Sequence, residues 1–396
     1  MAVAGAAGSG IAAAPALPRP RIPARRGRVI LEFKGVPMPG HRDRHARNHE
    51  VRRGIVNDRL RLMFEWYKGM VDESTGRLLY LYDPERDVTI GDGEPIRDIA
   101  AIWDVEVLSV FLGRNDLRSM IRHSLNHFEQ FIIERDGHAT VAPQGEPSSI
   151  AHSAFLALAL IRSEFSDKVR RFAPLIAGIL QQQREDGSYK IFFDAHPDSG
   201  EELYPAEAML AILEAYRLTR DARYLGSVER GFAHYKRAYY DLGRLLPDSL
   251  VFFANWQSQV GQPLFEATAS PEVKDLVRVF LFELHDRIIE SGFYDRVAHQ
   301  PEAQACVEVA CGLEGLADAY AIAASSHDRR MEDYRRCILT ALDFLLCAQR
   351  TTGCTDRERG GFGGSLGIRE QRIDVTGHVA SGFIKSIEKG IDRPAK

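Results

Sequence analysis

The chain has 396 residues, of which 45% are hydrophobic and 27% are charged, and its formal net charge at pH 7 is −4. This composition is typical of a soluble globular protein, and the slight excess of acidic residues argues against a dedicated nucleic-acid surface. Since no run of about 18 apolar residues occurs, the sequence predicts no membrane span.

The first 28 residues are rich in alanine, glycine and proline, and they contain arginine but no acidic residue. A secretory signal would place its positive charge before an unbroken apolar run, and this segment does the reverse. We therefore expect residues 1–28 to be a disordered leader, with an organelle transit peptide as the alternative. Residues 29–396 are expected to form a single domain.

The five cysteines all lie between residues 306 and 354, without the CxxC spacing of a zinc site or a redox pair. We interpret them as reduced thiols of a cytoplasmic protein. The sequence predicts no bound metal and no cofactor.

Helix-forming stretches recur at a nearly constant interval along most of the chain. They open at Asn115, Asp167, Asp221, Ser270 and His327, at steps of 49 to 57 residues, and a more apolar helical stretch follows each of them. A period near fifty indicates an array of helical hairpins, in which no hairpin can bury its apolar face alone.

In chain order, the first helix of each hairpin is amphipathic and the second is apolar on nearly all sides. The predicted amphipathic helices cover about 49–72, 115–134, 167–184, 221–240, 271–290 and 327–350, and the apolar ones about 96–113, 149–164, 205–219, 249–268, 303–324 and 374–388. Amphipathic helices face water on one side, and wholly apolar helices are buried. We therefore predict an all-α fold, the (α/α)6 toroid, with an open superhelical solenoid as the alternative.

Polar side chains gather where each inner helix is predicted to begin. In such a barrel every connection from an outer to an inner helix lies at the same end, and binding residues concentrate on connections held by a rigid scaffold. The candidate residues at these junctions are Arg97, Asp98, His152, Tyr204, Glu207, Trp256, Gln257, Arg372, Asp374 and His378.

Two of these junctions suggest proton transfer. Asp374 and His378 are four residues apart on one helix, so the carboxylate could orient the imidazole as a base. Glu207 follows Tyr204 closely and is a second acid/base candidate. The alternatives are a histidine satisfied within the core, and a glutamate that serves only the helix dipole.

A further candidate is Tyr189, in the loop QQQREDGSYKIFF (181–193). Its aromatic ring either packs under the next hairpin or lies against a substrate that approaches the neighbouring glycine. The second glycine-rich loop, RERGGFGGSLG (357–367), is not a phosphate loop because no Lys-Ser/Thr pair follows it.

These segments resemble sequences of six-hairpin toroid enzymes. QQQREDGSY is similar to a turn repeated in triterpene cyclases, and ERGGFGG is similar to turns in those cyclases and in the N-acylglucosamine 2-epimerase group. GEELYPAEAMLAILEAYRLTRDARYL, followed later by RIDVTGHVASGF, resembles bacterial proteins related to the C-terminal helical domain of glucuronyl C5-epimerases. The last resemblance implies proton transfer at a sugar carbon, with Tyr204 and Glu207 in the tyrosine and carboxylate roles. The Asp-x-Asp-Asp proton donor of the cyclases is absent.

Three functions are compatible with these patterns. The first is a carbohydrate-active enzyme, an epimerase or isomerase or else a lyase or hydrolase, that acts on a sugar or uronic acid by acid/base chemistry. Its substrate would be a small molecule or an oligosaccharide, clamped by arginines and stacked on Trp256. The second is a terpenoid cyclase with an aromatic-lined funnel, and the third is a non-catalytic binding scaffold. The sequence makes no prediction of oligomeric state.

Overall fold

The computed structural model describes residues 41–91, 95–143 and 145–391, and its side chains from Arg52 onward. The predicted leader, residues 1–28, lies outside the described residues. From Arg42 onward, the described part of the chain forms one compact unit.

The helices of the described residues pair into hairpins in chain order. Their bounds are α1 His41–Lys68 and α2 Pro95–Leu112, α3 Arg118–Glu129 and α4 Ile150–Arg162, α5 Lys168–Gln181 and α6 Tyr204–Thr219, α7 Ala222–His234 and α8 Leu250–Ala267, α9 Pro271–Glu290 with the short α10 Phe293–His299 and then α11 Cys306–Ser325, and finally α12 Arg330–Ala348 and α13 Ile373–Glu388. Apart from α10, each helix matches one of the predicted twelve. The π-helix Tyr235–Asp241 continues α7.

The inner helices close into a ring. Each packs against the next, from α2 to α4, α6, α8, α11 and α13, and α13 packs back against α2. In the outer wall, Gln349 after α12 donates a hydrogen bond of 3.1 Å to the carbonyl of Arg59 in α1. The predicted (α/α)6 toroid is therefore confirmed, and the open solenoid is wrong.

Small residues let the inner helices approach closely. A Cβ atom at Gly315 of α11 would lie 2.7 Å from the Cα of Asn255 in α8. In α4, every residue from Ile150 to Ile161 is buried. The core thus lies between the two walls and between neighbouring inner helices, as the all-round apolar pattern predicts.

Short strands in the connections were not predicted. The hairpin β3 Ile132–Arg135 and β4 His138–Val141 follows α3, so the prediction of a helix to residue 134 was wrong at its end. The cause is local, because Asp136 and Gly137 have positive φ values of 51° and 79°, as an Asp-Gly hairpin turn requires.

A second sheet joins the connection between α1 and α2 to the connection between α12 and α13. Its strands are β1 Leu81–Asp83, β2 Val88–Ile90 and β5 Gln371–Arg372, in the order β2-β1-β5 with antiparallel pairing. Since β5 leads directly into α13, this pairing fixes the start of the last inner helix against the first hairpin. No helix in the described part of the chain is long and apolar enough to cross a membrane.

Candidate functional site

A cavity of about 240 Å³ opens at the end of the barrel where the inner helices begin. All of the inner helices contribute to its wall. The lining residues are Ile96, Arg97, Ala100, Trp103, Asp104, Phe155, Leu203, Tyr204, Glu207, Phe252, Trp256, Glu314, Asp374 and His378. The fold therefore places residues that are far apart in the chain around one cavity; Ile96 and His378, for example, are 282 positions apart.

The candidate residues divide between this cavity and other places. Arg97, Tyr204, Glu207, Trp256, Asp374 and His378 line the cavity, whereas Asp98, His152, Tyr189, Gln257 and Arg372 are not part of its lining. All four residues expected to transfer protons, Tyr204, Glu207, Asp374 and His378, thus lie in the lining of one cavity.

Glu207, in the first turn of α6, is the lining carboxyl group with the least compensation. Its side chain is 5% exposed, and its Oε2 atom has no hydrogen-bond partner within the described chain. Burial raises the pKa of Glu207 to about 8, although the positive charge of His378 opposes this. At neutral pH the group holds a proton and can donate it.

His378, on α13, is held as a cation. Its Nδ1 atom lies 3.0 Å from Oε2 of Glu314 on α11. Burial alone would lower the pKa of His378, but its contacts with the Cys311 thiol and with Glu314 raise that pKa well above its usual value. The imidazolium is therefore a hydrogen-bond donor and a fixed positive charge at neutral pH, and it is not a free base.

The carboxylate that orients His378 is Glu314, not Asp374 as the spacing predicts. Asp374 instead forms an ion pair with Arg372, whose Nε atom donates to Oδ1 over 3.0 Å. The positions along α13 are consistent with the difference: Asp374 lies in the first turn, next to Arg372, whereas His378 lies one turn later and contacts the neighbouring inner helix α11.

Glu314 is the centre of a buried hydrogen-bond network that sequence reasoning missed. It accepts a hydrogen bond of 2.9 Å from Nδ2 of Asn255 and a shorter one from Ser381, and Nζ of Lys385 lies 3.8 Å away. Burial would raise the pKa of Glu314, but Lys385 and His378 lower it to about 2. The signal was present in the sequence, because CGLEGL places an acid between glycines in the middle of a mostly apolar helix.

Asp104, on α2, is the second ionisable group that the junction argument missed. Burial raises its pKa to about 7, while His378 lowers it and Glu314 and Asp374 raise it further. Its carboxylate lies against the backbone of α13, since a Cβ atom at Gly377 would be 2.0 Å from Oδ2 of Asp104. Only glycine at position 377 allows this approach.

Aromatic rings form one side of the cavity. The ring centroids of Trp103 and Phe155 are 6.2 Å apart, those of Phe155 and Trp256 are 5.8 Å apart, and those of Trp256 and His378 are 5.9 Å apart. Such a surface can stack on the apolar face of a sugar ring or stabilise a cation.

Arginines surround Tyr80 at the rim. The guanidinium carbon of Arg97 lies 4.9 Å from the centre of the Tyr80 ring, and that of Arg372 lies 5.3 Å from it. These two arginines correspond best to the predicted arginine clamp. The charge of Arg372 is already balanced by Asp374.

The remaining candidates lie away from this cavity. Tyr189 is fully buried, and its hydroxyl lies 3.2 Å from Nε2 of Gln183 and 3.1 Å from Oγ of Ser227. This supports the packing interpretation of its loop. Asp98 is ion-paired with Arg77, and Gln257 is buried with neither amide atom hydrogen-bonded within the described residues.

His152 belongs to the wall of the second hairpin. Its Nδ1 atom lies 2.7 Å from Oγ of Ser149, and its Nε2 atom lies 3.1 Å from Oε2 of Glu146. Ser149 also accepts from the backbone N–H of His152 as the N-cap of α4. These contacts explain a buried histidine at this helix start without a ligand.

A second cavity, of about 260 Å³, lies toward the opposite end of the barrel. Trp103 and Asp104 line both cavities. The far cavity also contains Lys385 and Lys389, which bind Asp318 over 2.7 and 2.6 Å. Asp104 thus stands between the two hollows of the barrel.

No family model matches the chain, and no curated protein sequence does either. Solved structures of (α/α)6 toroid enzymes do match it over most of its length. A cellobiose 2-epimerase from Bacillus thermoamylovorans B4167 is 12% identical with a TM-score of 0.62, over 85% of this chain and 99% of that one. An unsaturated glucuronyl hydrolase from Bacillus sp. GL1 is 12% identical with a TM-score of 0.57, over 88% and 97%.

A type II terpene cyclase from Scytonema, solved with geranylgeranyl dihydroxybenzoate as its substrate, has the same general form. It is 9% identical with a TM-score of 0.54, over 86% of this chain and 99% of that one. At such identities the likeness shows a shared fold, which hosts several chemistries. The choice between them depends on the residues of the cavity.

Proposed function

We propose that this protein is a carbohydrate-active enzyme that transfers a proton at a carbon of a sugar or uronic acid, as an epimerase or isomerase does. The observation that carries the proposal is that Asp104, Glu207 and the His378–Glu314 pair line one cavity. Their pKa values are about 7, about 8 and well above the usual value for histidine. Groups whose environments separate their pKa values in this way are suited to divide the roles of acid and base.

In the proposed reaction, ionised Asp104 accepts the proton from the carbon next to a carbonyl or carboxylate group. The electron pair of the broken C–H bond moves onto the neighbouring oxygen, and the imidazolium of His378 donates a hydrogen bond to the resulting oxyanion. Protonated Glu207 then returns a proton to the carbon. Tyr204 lies at the start of the same helix as Glu207 and is a further hydrogen-bond donor for the substrate.

The substrate is a small sugar or the end of an oligosaccharide. Trp256 and Phe155 offer a face on which a sugar ring stacks, and Arg97 lies at the rim where it meets a carboxylate.

The five free cysteines support the predicted cytoplasmic location, because reducing compartments keep thiols unpaired.

A terpenoid cyclase is the second candidate, favoured by the aromatic wall of Trp103, Phe155 and Trp256. That activity predicts few charges in the funnel, whereas this lining also contains Arg97, Asp104, Glu207, Glu314, Asp374 and His378. A binding scaffold predicts no hydrogen-bonded ionisable groups there, and the His378–Glu314 contact of 3.0 Å argues against it. The carbohydrate enzyme therefore fits best.

The test is turnover of a panel of uronic acids, aldoses and aminosugars by the wild type and by Glu207→Gln and His378→Ala. Both variants should lose about a hundredfold or more in kcat, since each removes a group that acts on the proton or the oxyanion. The matched control is Glu308→Gln, because Glu308 is a half-buried glutamate whose pKa burial also raises, and it is not part of this lining. Unchanged turnover in both site variants would sink the proposal.

A further inference from the structure

A third cavity, of about 270 Å³, lies outside the barrel interior, between the first two hairpins. It is bounded by the C-terminal half of α2, the last residue of α4, the loops that follow these two helices, and the outer helix α3. Its apolar lining includes Val110, Ile121, Leu125 and Phe165. The volume is slightly below the range of about 300 to 1,000 Å³ of drug-sized ligand sites, so it suits a small metabolite.

One buried carboxyl group of this cavity lacks a partner. Glu106, on α2, is 6% exposed, and its Oε2 atom has no hydrogen-bond partner in the described parts of the chain. Burial raises the pKa of Glu106 to about 9, while Arg162 and Lys168 lower it and Glu164 raises it. The group is therefore a neutral acid at pH 7, and an unsatisfied buried group of this kind costs free energy that a ligand would recover.

The rim of the cavity is positive. It contains Arg114, Arg118, Arg122 and Arg162. Arg114 is paired with Glu65 and Asp116, and Arg118 with Glu164. Arg122 lies over the Phe165 ring, 5.5 Å from its centre, and the described residues offer neither Arg122 nor Arg162 an ion-pair partner. The rim thus holds two guanidinium groups whose charge is not balanced.

We propose that this cavity is a second binding site, for a small organic anion with an apolar body and an uncharged hydroxyl or carbonyl group at its far end. The anion meets Arg122 and Arg162, the apolar body lies against Leu125 and Phe165, and the far group exchanges a hydrogen bond with the carboxylic acid of Glu106. A cationic ligand is disfavoured because the arginines would repel it. This site shares no lining residue with the cavity that contains Glu207. It shares only Val110 and Arg162 with the lining of the second cavity, at the far end of the barrel.

The probes are 6-hydroxyhexanoate, hexanoate without the hydroxyl, 1,6-hexanediol without the charge, and hexylamine with the opposite charge, measured by isothermal titration calorimetry. The wild type should bind 6-hydroxyhexanoate about tenfold more tightly than hexanoate or the diol, and should not bind the amine measurably. Glu106→Leu should bind 6-hydroxyhexanoate and hexanoate equally. Glu106→Gln keeps a neutral donor, so it should retain the preference and guards against a folding defect in the leucine variant.

Arg122→Gln should reduce the preference for 6-hydroxyhexanoate over 1,6-hexanediol by at least about threefold, because only Arg162 then remains to meet the carboxylate. The matched control is Arg118→Gln, which changes an arginine of the same rim that is already paired with Glu164 and should alter binding by less than about threefold. Absence of binding by every probe, tighter binding of the amine, or binding that is unchanged in both Glu106→Leu and Arg122→Gln would overturn this assignment.

Discussion

At the residue scale, the proposed chemistry depends on how burial and hydrogen bonding set the protonation state of each acidic group in the site. Glu207 lacks a compensating partner and keeps its proton, whereas Glu314 has hydrogen-bond donors and a nearby lysine and loses it. Asp104 lies between these cases, with a pKa raised to about 7. Identical functional groups thus take different roles because of their surroundings.

The first prediction concerns the pH dependence of the proposed activity. Asp104 must be ionised to accept a proton, so kcat/KM should rise as the pH passes its pKa of about 7. Glu207 must be protonated to donate, so the rate should fall as the pH passes about 8. The expected profile is a narrow bell with its maximum between these values. A rate that stays constant from pH 6 to about 9 would contradict the assignment of both groups.

The second prediction concerns Glu314→Gln. The change leaves the positive charge of His378 buried without its carboxylate partner, whereas Lys385 keeps its closer partner Asp318. Loss of the buried pair should cost about 3 to 5 kcal/mol of unfolding free energy at pH 7. The folded-state pKa of Glu314, about 2, lies below the usual 4.5. The stabilisation is therefore present above about pH 4.5 and is lost as the pH falls toward 2, so wild type and variant should converge in acid.

Urea denaturation measures these free energies, and NMR titration of the His378 ring measures the accompanying fall in its pKa. The control is Glu308→Gln, since burial raises the pKa of Glu308 and a neutral amide should be tolerated there. An unchanged His378 pKa in Glu314→Gln would mean that the pair does not set the charge of the imidazole.

Sequence patterns could identify some of these residues but not others. Glu207 and His378 lie within the first two turns of inner helices, so position along a repeat was enough to select them. Asp104 and Glu314 lie deeper in their helices, where an acid in a mostly apolar stretch gives no indication of its partner. The partner of His378 comes from another hairpin, 64 positions away, and helical spacing reports only contacts within one helix.

At the element scale, close approach of α13 to α2 is what brings Asp104 into the site. The approach depends on Gly377, whose position leaves no room for a methyl group beside Oδ2 of Asp104. The repeat period predicts that these helices are neighbours only if the ring closes. It does not predict how near they come, because that distance follows from individual side chains. The strands β1 and β5 add a second tie at the same junction.

The third prediction is that Gly377→Ala displaces Asp104 or separates α13 from α2. Overpacking of this kind should lower the unfolding free energy by about 1 to 3 kcal/mol and reduce the proposed activity more than the affinity for substrate. The matched control is Gly54→Ala on α1, where a new Cβ atom would meet nothing within 4 Å. That change should be neutral or slightly stabilising. Equal effects of the two substitutions would show that the contact with Asp104 is unimportant.

At the scale of the whole molecule, closure makes the terminal hairpins equivalent to the central ones. The regular period in the sequence was sufficient to predict six hairpins and their order. It did not predict the small sheet of β1, β2 and β5, because strands of two or three residues leave almost no pattern. Closure rests on the packing of α13 against α2. In the outer wall it is supported by the ion pair of Arg52 with Asp343 and by the hydrogen bond of Gln349 to Arg59.

The fourth prediction follows from closure. In an open array, the end repeats have only one neighbour and exchange their amide hydrogens first. In this ring, α2 and α13 have inner neighbours on both sides, so their amides should be protected to the same degree as those of α6 and α8. Hydrogen exchange followed by mass spectrometry measures this, and progressive loss of protection toward either end would indicate that the ring opens in solution.

The most direct test of the proposed chemistry is exchange of carbon-bound hydrogen in D2O, followed by NMR, with a panel of uronic acids, aldoses and aminosugars. The wild type should introduce deuterium at the carbon next to the carbonyl or carboxylate group of at least one of these sugars. Glu207→Gln and His378→Ala should abolish that exchange, and Glu308→Gln should preserve it. Absence of exchange in every sugar with the folded wild-type protein would contradict the assignment of this cavity to proton transfer.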